Sequence, residues 1–150
     1  RAGDGRARRS QRDHHRALSL IDIIENEHLR REALCTVTLI LSKNDPLATF
    51  AAVKKESLED YYYLEVFRSW ANNAPLEAVG HLATITSRED RRNAINGLTQ
   101  SWGSKDPEGT ADWAIALSNR NERRQALQGI MCNVRDLTQG TQLLEKLALK

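Results

Sequence analysis

The sequence predicts an all-α chain: a right-handed superhelical α-solenoid of about four helix-turn-helix repeats plus a terminal helix. Three observations predict it. The stretch SWANNAPLEAVGHL at 69–82 is written again as SWGSKDPEGTADWA at 101–114. In both copies a Pro follows the Trp by five residues, and Trp70/Trp102 and Pro75/Pro107 each stand 32 residues apart. Around these marks the apolar residues recur at the spacing of one helix face, with no useful run of the alternation a strand needs. Self-similarity at such a period is the sequence mark of a stacked array.

Aligned on Pro46, Pro75 and Pro107, each unit holds a first helix (A), a polar break and a second helix (B). Unit one spans about 14–45, with Leu18/Ile21/Ile24 as its A stripe and Leu34/Val37/Leu41 as its B stripe. Unit two, 46–74, carries Phe50/Val53 and Tyr63/Val66/Trp70. It is three residues short, which places a deletion at the A–B turn near Glu56. Unit three, 75–106, carries Val79/Leu82/Ile85 and Ile95/Leu98/Trp102. Unit four, 107–138, carries Ala111/Ala114/Leu117 and Leu127/Ile130/Val134. Residues 139–150 begin a partial fifth unit, in which Lys146 falls where the pattern wants an apolar residue. That terminal helix is expected either to slip in register or to act as a cap with one side in water.

The punctuation agrees with the stripes. Asp45-Pro46 and Asp106-Pro107 put a carboxylate at the N-cap and a residue without an amide at the first helical position. Ala74-Pro75 lacks the cap, but Glu77 lies in the first turn, where the helix dipole favours an anion. Ser57-x-x-Asp60, Ser87-x-x-Asp90 and Asn119-x-x-Glu122 resemble capping boxes at the start of the B helices. One helix pair cannot bury both of its faces, so successive pairs must stack. The stripe residues are then core, and Trp102→Ala is expected to cost about 3–5 kcal/mol.

The motif residues Trp70/Pro75/Val79 and Trp102/Pro107/Ala111 make the chain resemble short bacterial α-solenoid repeats of a W-x4-P-x3-A type, TPR- and HEAT-like in shape. The resemblance covers about residues 14–138. It departs from a TPR signature, whose period is about 34 residues and whose first helix carries Leu-Gly-x2-Tyr. It implies a superhelical scaffold that binds other macromolecules, and it carries over no catalytic residues.

Composition narrows the function classes. The formal charge is only +2, yet residues 1–16 hold six Arg against Asp4 and Asp13, a local +4 that leaves −2 on the rest. Residues 1–13 are expected as a basic arm or linker, with Ser10-x-x-Asp13 a possible cap for an earlier helix start. No apolar run approaches the ~20 residues that span a bilayer, so no membrane insertion is expected. With no initiating Met and no signal-peptide pattern, the chain is expected to be a mature form or a piece of something longer, with a cytoplasmic setting slightly favoured.

No G-x-S-x-G, H-E-x-x-H or Walker loop is present, and no catalytic residue, cofactor or metal is expected. Asp13, His14 and His15 are adjacent, so on a helix they point about 100° apart and make a poor metal cage. Cys35 and Cys132 are solitary thiols inside helical patterns. The Arg pairs 30/31, 91/92 and 123/124 each sit in the first turn of a B helix, where cations oppose the dipole and need a partner. An inter-repeat ladder to Asp45, Asp106 or a carbonyl at an adjacent turn is one account; a basic stripe facing phosphate or an acidic peptide is the other.

The expected function is a non-catalytic scaffold for a protein or peptide partner, within a larger protein or complex. The alternative is a nucleic-acid-binding repeat led by the Arg-rich segment and the Arg pairs; the −2 on the remaining chain argues against it. A helices commonly line the concave side of such arrays, which nominates Lys54, Lys55, Glu77, His81, Asp112 and Trp113 for the groove. His81, at the place of Trp113 in the next unit, is alternatively a hydrogen-bonded structural residue, and Trp113 a packing partner of Leu117. Tyr61 aligns with Glu32, Asn93 and Gln125, so it is expected to be exposed as an interface aromatic.

Overall fold

The computed structural model describes residues 2–55 and 60–148, with the side chains of 2–7, 10, 11, 14 and 60 outside the description. The described chain is all-helical, with no strand. Its helices are α1 (Ala2–Ile21), α2 (Glu27–Asn44), α3 (Pro46–Lys55), α4 (Asp60–Ala71), α5 (Pro75–Leu82), α6 (Arg88–Lys105), α7 (Pro107–Ala116), α8 (Arg120–Cys132) and α9 (Leu137–Ala148). None is long and apolar enough to cross a membrane.

The starts follow from local chemistry. Asp45 Oδ1 accepts from the Ala48 amide at 3.0 Å, and Asp106 Oδ1 from the Gly109 amide at 2.9 Å. Ser87 and Asn119 cap α6 and α8 by accepting from the amides of Asp90 and Glu122. Asn26 caps α2 in the same way, through the Leu29 amide. Ala74 makes no side-chain cap before Pro75. The expected Ser57 cap and the deletion near Glu56 lie outside the described residues.

The Arg-rich segment expected as an arm is the first part of α1, which runs without a break from Ala2 to Ile21. No Pro interrupts it, and Arg, Ala and Gln are strong helix formers that outweigh Gly3 and Gly5.

Helices α2, α4, α6 and α8 lie side by side in that order. The intervening helices bridge them: α3 packs on α2 and α4, α5 on α4 and α6, and α7 on α6 and α8. At the two ends α1 packs on α2, and α9 on α7. The stripe residues form the core. Val66, Ile95, Leu98 and Ile130 are fully buried, while Leu34, Val37 and Leu41 of the first unit are half-buried. Leu143 is the buried residue of α9, Leu147 packs beside the core, and Lys146 swings to Asp112 Oδ2 at 2.7 Å and to the Glu108 carbonyl at 3.4 Å, tying α9 to α7.

Two glycines set how closely the row can pack. A Cβ at Gly97 would lie 2.2 Å from the Leu64 carbonyl oxygen and 2.8 Å from the Arg68 nitrogen, so α4 and α6 touch backbone to backbone. One repeat later, a Cβ at Gly129 would lie 2.5 Å from the Thr99 hydroxyl oxygen, where α6 meets α8.

Candidate functional site

The structure places the nominated residues in several environments. Trp70 stacks on His81 with ring centroids 4.9 Å apart, and eleven residues separate the pair in sequence. Trp102 stacks on Trp113 at 5.8 Å across the same interval. His81 also meets the edge of Phe50 at 5.9 Å. Both nominated aromatics therefore lie at the junction between units, in the packed setting that was the alternative to a groove. The physical reason is that each is half-buried by the Trp that ends the preceding long helix.

Lys54 is turned along the surface, donating from Nζ to the Thr84 carbonyl at 2.9 Å. Asp112 is engaged by Lys146. Glu77 is exposed on α5. These residues do not converge on one cavity.

The Arg pairs are partly the expected ladder: Arg91 and Arg123 each reach a carbonyl at the adjacent turn, and Arg91 has a further partner in Glu122. Arg91 grips Glu122 with two bonds, Nε to Oε1 at 2.6 Å and Nη2 to Oε2 at 3.1 Å, and also donates to the Leu82 carbonyl. Arg123 donates to the Leu117 carbonyl at 3.1 Å. Asp45 and Asp106 cap their own helices instead. A fork-to-fork bond satisfies a planar guanidinium better than a single distant carboxylate does.

Lys55 borders a large cleft. It lies between α1 and α3 over α2, with a volume of about 770 Å³. Leu18, Leu34, Ala48 and Ala52 make its floor. Arg12, His15 and Lys55 stand on its rim, and Asp22 lies at one end. The floor is wide because α3 offers only alanines to it, and the rim is cationic because Arg12 of α1 and Lys55 of α3 stand on it. The neighbouring gap between α3 and α5 is closed by Lys54 and by the Phe50–His81 contact.

Tyr61 is 52 % exposed, as expected, and borders a polar groove of about 500 Å³ across α2, α4 and α6 with Lys43, Glu65, Arg68 and Asn72. Sequence reasoning passed over Glu65. It stands at the place taken by Gly97 and Gly129 in later units, and it is buried to 6 % exposure with Arg68 as its ion-pair partner. The negative Glu65 carboxylate raises the Tyr61 phenol above the ordinary tyrosine range, helped by burial and a hydrogen bond to the same carboxylate. The recurrence of Gly at 97 and 129, inside two helical stripes, was the signal that marks this column.

Among the described residues no group of three or more His, Cys, Asp or Glu side chains is placed to hold a metal ion. Comparison with known proteins gave no matching family model, no matching curated protein and no matching solved structure.

Proposed function

We propose that the chain is a non-catalytic α-solenoid that binds an extended protein or peptide segment in the cleft between α1 and α3. The in-line order of the long helices supports the solenoid, as does the surface. The chain exposes 9713 Å², whereas a compact monomer of 17.0 kDa exposes about 7,700 Å². The single observation that carries the binding site is an apolar floor of leucines and alanines under a cationic rim. Such a cleft fits an acidic segment with one or two apolar anchors, because the rim supplies orientation and the floor supplies burial.

The test is binding of labelled acidic, leucine-anchored peptides to the full chain, beside their basic counterparts and duplex DNA. The acidic peptides are expected to bind best. Ala51→Trp, at the exposed edge of the cleft, is expected to abolish that binding with helicity unchanged. Tighter binding of DNA, falling steeply with salt, supports the nucleic-acid alternative. Retention of peptide binding by Ala51→Trp moves the site elsewhere.

A further inference from the structure

The junction of α6 with α8 shows how two long helices of the row meet. Where α8 docks on α6, Glu122 meets Arg91, Gln125 donates to the Arg92 carbonyl at 2.7 Å and to Asn96 Oδ1 at 2.8 Å, and Asn133 donates to the Thr99 carbonyl at 3.2 Å. Ala126 and Gly129 fill the centre of that contact. The receiving side is thus residues 91, 92, 96 and 99, and the docking side residues 122, 125, 126, 129 and 133.

The two ends of the row carry the same two sides uncovered. One repeat beyond the receiving side of α6, α8 presents Arg123, Arg124, Gln128 and Met131, with Met131 36 % exposed. Arg120 and Leu127 lie beside them along a shallow groove. On α2, the positions aligned with the docking side of α8 are Leu29, Glu32, Ala33, Thr36 and Ile40. Leu29 is 53 % and Ile40 57 % exposed. Glu32 is also exposed, with His28 Nε2 3.5 Å from its carboxylate. One end is therefore apolar and basic, the other apolar and acidic; the internal register sets Leu29 against Arg123, Glu32 beside the Arg124 backbone and Gln128, and Ile40 against Met131, which leaves Glu32 among the cations of α8.

We infer that a second copy of this chain docks the outer face of its α2 on the outer face of α8, continuing the row from one molecule to the next. The occupant is argued from two facts: the uncovered faces stand at the helical positions by which α6 and α8 already meet, and their charges are opposite. The contact is heterologous, so it leaves a free face at each end and does not close at a dimer. A face one helix wide buries less than a standard interface, so the association is weak and concentration-dependent.

Sedimentation equilibrium of the full chain tests this. The average mass is expected to exceed 17.0 kDa and to keep rising with concentration without a plateau at twice that value. Arg124→Glu and Glu32→Arg, each placing like charges together, are each expected to weaken association by tenfold or more, at unchanged helicity. An equal mixture of the two variants is expected to regain association, because each variant then offers the charge the other lacks. A monomer at every concentration overturns the inference. So does association that neither substitution weakens, or a mixture that stays monomeric; a helix of another protein is then the occupant to seek. The cleft between α1 and α3 takes no part in this contact, so Ala51→Trp is expected to leave the mass profile unchanged.

Discussion

The packing of α4 against α3, α5 and α6 and that of α6 against α7 and α8 are one design executed in two chemistries. The first is dry and close. Trp70 is buried to 1 % exposure among Phe50, Phe67 and His81, and Gly97 lets the two backbones touch. The second is looser and more polar. Trp102 is 7 % exposed against Trp113, Gly129 meets only a threonine side chain, and Arg91, Gln125 and Asn133 supply hydrogen bonds across the gap. The difference teaches that the repeat fixes where neighbours meet, while each junction chooses its own balance of burial and hydrogen bonding.

Substitutions at matched positions can break or sharpen that contrast. The largest effect is expected from Trp70→Ala, about 3–5 kcal/mol by urea denaturation, with Trp102→Ala nearer the lower bound because its site is more open to water. Equal costs would erase the distinction. Next come the glycines. Gly97→Ala sets a methyl group against backbone that cannot move without parting the helices, at about 3 kcal/mol, whereas Gly129→Ala asks only that Thr99 rotate, at about 1 kcal/mol. The reverse order would contradict the packing described.

A smaller loss, about 1 kcal/mol, is expected for Glu122→Gln. It should shrink in high salt, since the pair is partly exposed. No comparable salt-dependent term is expected for Trp70→Ala. The smallest effect is spectroscopic. The difference in alkaline absorbance titration between the wild type and Tyr61→Phe should show a phenol ionising above the usual value of about 10, and Glu65→Gln should return it towards that value. The sign follows from the raised folded-state value: the contact with Glu65 is intact below the ordinary tyrosine range and is lost as pH climbs through the elevated one.

The helices were legible in the sequence because caps, prolines and stripes are local signals. Pro46, Pro75 and Pro107 each open a helix, and all eight stripes point to the core or its edge. What was less legible depends on neighbours. The pattern left open whether His81 and Trp113 face a groove or pack; each lies against the Trp eleven positions before it, which only the three-dimensional junction reveals. Arg91 reaches the turn carbonyl of Leu82 and, in addition, Glu122 on the next long helix, a pairing across 31 residues that no local signal marks. The α1–α3 cleft depends on Ala48, Ala51 and Ala52, small residues that carry no pattern until the helices around them are in place.

Small-angle X-ray scattering tests the proposed in-line stack most directly, on dilute protein in high salt to suppress self-association. The stack predicts a radius of gyration clearly above the ~15 Å of a compact 150-residue domain, with a distance distribution tailing to long separations. A value near that of a compact sphere, with a symmetric distribution, would contradict it.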